Sequence, residues 1–169
     1  MLRPDLTRVP QWYHGYISKT EGADLLKLLE DQVDTVARFM LDIPPGKFDF
    51  SYAEGKWTLR DLFQHLLDAE RIFAYRALRF ARNDRTPLAS FEENDYVTEA
   101  RASRRNWEEM VEEFKLLRKS NVILFRSFDE AELEREGIAS GKSIYVRAIG
   151  FILVGHINHH IGIIRERYL

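Results

Sequence analysis

Glycines and prolines are few in this chain, and their placement limits its possible folds more than any other feature. Pro44-Pro45-Gly46, Pro87 and the span 137–141 cut the 169 residues into four long stretches. Each stretch carries apolar residues at three- and four-residue spacing, the pattern of an amphipathic helix. The spacing predicts helices over about 19–41, 58–81, 95–128 and 143–168. Leu25, Leu29, Val33, Val36 and Met40 share a stripe on the first. Trp107, Met110, Val111, Phe114 and Leu117 do so on the third. The second has the clearest start: Thr58 as cap, Asp61 completing a capping-box arrangement, and Trp57 placed to staple against Leu62. A short helical turn is expected after Asp129. No run alternates apolar and polar residues between turn signals, so no strand is expected. Four such helices, each with one face to bury, have an economical solution in an all-α four-helix bundle forming a single domain over 1–169. The connection 83–94 is long enough to cross an end of the bundle, so strict up-and-down order is not required.

Charge and composition exclude several classes of function. Lysine plus arginine (25) nearly balances aspartate plus glutamate (27), so no strong field draws nucleic acid or an anionic membrane. The absence of cysteine excludes disulfides, a catalytic thiol and thiolate metal sites. Residues 1–10 include Arg3, Asp5 and Arg8 and have no apolar leader core; the longest apolar run, 149–154, is too short to span a bilayer. A soluble, cytoplasmic protein is expected. No Ser-His-Asp order, phosphate loop or dinucleotide fingerprint is present.

Chemistry concentrates in the histidines. Three of the five lie in Gly155-His156-Ile157-Asn158-His159-His160. At about 100° per residue, His156 and His160 fall about 40° apart within the apolar stripe of the last helix, and His159 falls on its edge. Two imidazoles at i and i+4 can chelate one ion. His65 lies between Leu62 and Ala69 on the core-facing stripe of the second helix. A histidine on such a face can equally be a hydrogen-bonded core residue. Burying three imidazoles together, however, is costly unless something satisfies their nitrogens. Three nitrogen ligands leave a coordination position open, the pattern of catalytic metal sites, and zinc and nickel both suit the donor set. Asp61 and Asp68 flank His65 and can orient an imidazole or simply be surface carboxylates. Arg76, further along the stripe, is expected either to meet an anionic group at the bundle mouth or to pair with a buried carboxylate. His14, within Gln11-Trp12-Tyr13-His14-Gly15-Tyr16, belongs to an aromatic arm expected to pack over a bundle end. The arginine-rich stretches 71–85 and 101–105 read as solvated helix faces.

The run Lys56-Trp57-Thr58, then Gln64-His65-Leu66-Leu67-Asp68-Ala69-Glu70-Arg71, and the closing Gly155-His156 to His159-His160-Ile161, resemble the DinB-like superfamily. These are YfiT-like metal-dependent enzymes, distinct from the similarly named DNA polymerase. The resemblance covers essentially the whole chain. It implies an up-down-down-up four-helix bundle and a divalent metal held by His65, His156 and His160. It also implies a small-molecule substrate, a tendency to homodimerise, and either S-transfer or isomerisation with a low-molecular-weight thiol as cosubstrate, or hydrolysis. The alternative is a non-enzymatic metal-binding or stress-response module.

Overall fold

Gly22 takes a φ of +92°, a left-handed conformation open to glycine, and the chain turns there before its first long helix can begin. In the computed structural model, which describes residues 3–169, Asp24 then caps the helix by accepting a hydrogen bond from Lys27 N. The helix therefore starts at Leu25 rather than near residue 19. Ahead of it, two 3₁₀ turns lead into α1 (His14–Ile17), a single helical turn. Met1 and Leu2, part of the stretch read for a leader, lie outside the described residues.

The long helix is α2 (Leu25–Leu41). Helix α3 (Leu59–Ala81) starts as expected, with Thr58 and Asp61 exchanging both capping-box hydrogen bonds. The single helix expected over 95–128 is instead two: α4 (Glu93–Ala100) and α5 (Trp107–Arg126). Arg101 adopts a left-handed φ of +49°, a 3₁₀ turn follows, and Asn106 caps α5 by accepting from Glu109 N at 2.9 Å. The turn after Asp129 is α6 (Glu130–Leu133), again with a capping box.

A second correction follows. Residues before the last helix form an antiparallel hairpin, β1 (Glu136–Ala139) and β2 (Lys142–Tyr145), with Glu136 opposite Tyr145. Ser140 and Gly141 turn it with positive φ at both positions, the backbone that lets two strands keep their twist across a two-residue loop. The last helix, α7 (Val146–Arg167), thus begins after Tyr145 rather than at 143. Among the described residues the fold is all-helical apart from this hairpin, with seven helices rather than four.

Four of them are long and form the body. Helix α2 packs against α5 and α7, and α3 packs against the same two. The apolar interior has two parts. One gathers Leu25, Phe80, Phe125, Ile149 and Phe151; the other gathers Met40, Phe63, Trp107, Phe114 and Ile164. Val154 belongs to the first and Ile157 to the second, so His156 lies at the seam between them. The 83–92 loop is tied to the hairpin, Leu88 N donating to Ile138 O and Ser140 N to Leu88 O. No described helix is long and apolar enough to cross a membrane.

Candidate metal centre

The apolar face of α3 carries His65 toward α7, and the same phase on α7 turns His156 and His160 toward α3. All three are buried. His65 Nε2 and His160 Nε2 each lie 3.1 Å from His156 Nε2. The rings stand edge to face, with centroids 5.0, 5.2 and 4.6 Å apart.

Hydrogen bonding among themselves cannot satisfy these nitrogens. A neutral imidazole nitrogen carries either one proton or one lone pair, so His156 Nε2 cannot complement two partners at once. Burial also keeps the rings neutral. It lowers the pKa of His65 to about 4 and that of His160 to about 3, with help from neighbouring imidazoles at His160. His156 is lowered well below the ordinary range, mainly by burial and then by His160 and His65. Three neutral nitrogens with converging lone pairs suit a cation, and the cluster is capable of coordinating a divalent metal ion.

The other candidate residues fall elsewhere. His159 is half-buried, its ring 5.2 Å from Tyr16 and 5.0 Å from His160, and it is not one of the converging three. Asp61 Oδ2 accepts from Thr58 N and Thr58 Oγ1, and Asp68 Oδ1 accepts from Gln64 Nε2. Neither is hydrogen-bonded to an imidazole, and His160 Nδ1 finds no partner among the described residues. His14 Nε2 lies 2.9 Å from Val9 O, within the arm. Arg76 is buried but has no carboxylate within ion-pair distance among the described residues.

The aromatic arm does more than cover a bundle end. Tyr16 packs edge-on to His156 at 5.1 Å, and Phe73 does so at 5.9 Å. Gly155 makes the first contact possible, because a Cβ there would meet Tyr16 O at 1.9 Å. Trp57 packs on His65 at 5.0 Å. A cavity of about 210 Å³ opens beside the cluster, reached by His65 and His156 and walled by Trp12, Tyr13, Tyr16 and Phe73. Arg76, Phe91, Glu93 and Ser140 complete it. Sequence reasoning missed Tyr16, Phe91, Glu93 and Ser140 as site residues; only the Trp-Tyr-His-Gly-Tyr cluster hinted at part of the wall.

The class this defines is a helical bundle that converges three buried imidazoles beside a small-molecule cavity. The DinB superfamily model matches residues 19–164, and the chain belongs to that family. A Bacillus mycoides (strain KBAB4) protein, named only as a candidate metal-dependent hydrolase, is 26% identical over 160 residues, covering 92% of this chain and 91% of its own. YfiT from Bacillus subtilis, described as a probable metal-dependent hydrolase with an unusual four-helix bundle topology, shares the fold. Its TM-score is 0.74 at 19% identity, over 84% of this chain and 82% of that one. A mycothiol-dependent maleylpyruvate isomerase also shares it, with a TM-score of 0.66 at 15% identity. That match covers 83% of this chain and 58% of the isomerase.

Proposed function

We propose that this protein is a metal-dependent enzyme whose divalent ion, zinc or nickel, is held by His65, His156 and His160. We further propose that it transfers a low-molecular-weight thiol to a small molecule or hydrolyses one. The observation that carries the reading is His156 Nε2 at 3.1 Å from two other imidazole nitrogens, beside a cavity. When bound, such an ion lowers the pKa of a coordinated water or thiol and so supplies a nucleophile at neutral pH. The chain contributes neutral imidazoles at that pH, because burial depresses their pKa values. Tyr16 and Phe73, packed against His156, limit bulk water around the reacting groups. With no cysteine of its own, the chain needs a thiol from a cosubstrate if the reaction is S-transfer. The activities named for the Bacillus relatives and for the mycothiol-dependent isomerase support the two reaction classes considered.

The access of His65 and His156 to a cavity favours an enzyme over a purely structural metal module. Elemental analysis of purified protein, followed by thiol-transfer and hydrolysis screens on chelated and reloaded samples, tests the reading. Activity should disappear on chelation and return with zinc or nickel. Stoichiometric metal with no turnover of either kind would instead leave a metal-binding module.

A further inference from the structure

Four arginines lie on α3, and three of them have a carboxylate partner: Arg60 with Asp49, Arg71 with Glu113 and Arg79 with Asp84. Arg76 has none among the described residues, although it is only 4% exposed. Its Nη2 donates to Ala89 O and to Ser140 Oγ, both at 3.1 Å, which fixes the guanidinium between the 83–92 loop and the hairpin turn. Its Nε and Nη1 donate to nothing among the described residues. They are nonetheless not sealed from solvent as Nε and Nη1 of Arg118 are, and Arg76 lines both the cavity beside His65 and His156 and an open groove bounded by Tyr75, Pro87 and Tyr96. A buried guanidinium without a counter-charge is unfavourable unless a ligand supplies one.

We propose that Arg76 anchors the carboxylate of a small organic acid, with the rest of that molecule lying along Phe73 toward His65 and His156. The ring of Phe73 is 6.0 Å from Arg76 Cζ and 5.9 Å from the His156 ring, so guanidinium and imidazole are at most about 12 Å apart. With hydrogen-bond spacing of about 3 Å at each end, the molecule spans at most about 6 Å, roughly the length of phenylacetate. The aromatic walls suit an apolar body of that size. A carboxylate fits better than a phosphate group. The cavity offers a single guanidinium, and its other charged lining residue, Glu93, would repel a dianion more strongly than a monoanion. The direction in which the molecule points rests on the metal-dependent reading; the anion site itself does not.

Calorimetric titration of phenylacetate and phenylacetamide into zinc-loaded and chelator-stripped protein tests the proposal. Wild type should bind the acid at least tenfold more tightly than the amide in both states. Arg76→Gln should bring the two affinities together without changing zinc content, and Arg76→Lys should restore part of the preference. Equal binding of acid and amide by wild type overturns the proposal. So does a preference that persists in Arg76→Gln, or one that depends on zinc and ignores Arg76, which would place the acid on the metal. Should Arg76→Gln fail to fold by circular dichroism, wild type and Arg76→Lys decide: a preference absent from either overturns the anchor. Protein that takes up no zinc yet keeps an Arg76-dependent preference overturns the metal reading and supports the anion site.

Discussion

Two buried polar clusters lie close together, one where α5 meets α3 and α7 and one between α3 and α7, and they resolve the cost of burial in opposite ways. In one, Arg118 of α5 pairs with Glu70 of α3, Asn121 donates to Glu70 Oε2 at 2.8 Å, and Arg118 Nη2 also reaches Leu153 O at 3.3 Å. Burial raises the pKa of Glu70 and lowers that of Arg118, and each partner opposes the other's shift. That cluster contains its own counter-charge. The other consists of His65, His156 and His160, only five residues back along α3 and three residues on along α7. Its members are alike, neutral and aimed at one another. By burial alone the clusters look the same. They differ in that Arg118 and Glu70 are opposite in charge and pair, whereas the three imidazoles are alike, and this separates a structural brace from a site suited to a ligand.

Breaking the brace should give the largest effect. Arg118→Met leaves the Glu70 carboxylate buried with only Asn121, and urea unfolding should show a loss of about 3–5 kcal/mol. The double variant Glu70→Leu/Arg118→Met should be more stable than Arg118→Met, since no unpaired charge remains. Zinc bound per folded molecule should be unchanged in both. If Arg118→Met instead abolishes zinc uptake while the chain stays folded, the two clusters are one functional unit and the contrast fails.

Acid should act on the histidine cluster next. The unfolded imidazoles titrate near pH 6.5, whereas those of His65 and His160 titrate near 4 and 3 in the fold. The unfolded chain therefore takes up protons first as pH falls. For metal-free protein the stability these rings contribute is present above pH 6.5 and is lost as pH falls through 4 and 3. His65 alone accounts for about 3 kcal/mol by this linkage. Denaturation midpoints measured between pH 7 and 4 should show this loss, which should shrink in His65→Ala and persist in Arg118→Met. A flat profile would mean that the cluster takes up protons without opposition from burial.

What the sequence made readable and what it hid divide along the same physical line. The start of α3 was readable because Thr58 and Asp61 act within one turn. The shared phase of His156 and His160 was readable because helical period operates within one element. The break at Arg101 was not, since a non-glycine residue in the left-handed region carries no sign in its identity. The hairpin was hidden because four-residue strands are too short to establish alternation, and Ser140-Gly141 is a weaker turn signal than Asn-Gly. The cavity was hidden for a different reason: Tyr16, Phe73, Phe91 and Ser140 come from four separate segments. The position of Arg76 on a buried face was visible in advance, but its lack of a carboxylate partner depends on what the rest of the chain brings near it.

The smallest expected effect bears most directly on the boundary of the histidine cluster. His159 is adjacent in sequence to His160 and touches it ring to ring, so proximity alone would make it a ligand. Helical phase argues otherwise. One residue's rotation of about 100° carries the side chain from the α3-facing stripe to its edge. There His159 lies half-buried against Tyr16, its pKa lowered by burial and then by Lys19. His160→Ala removes one of three converging nitrogens and should weaken zinc binding more than tenfold, since altering even an outer partner of a ligand typically costs 10–100-fold. His159→Ala should change it by less than about threefold, because it deletes packing against Tyr16 and no donor. Competition with a chromogenic zinc chelator measures both. Equal losses would place His159 Nε2 or Nδ1 among the donors. That would require α7 to be rotated relative to α3, and it would erase the distinction between a cluster defined by complementarity and one defined by nearness.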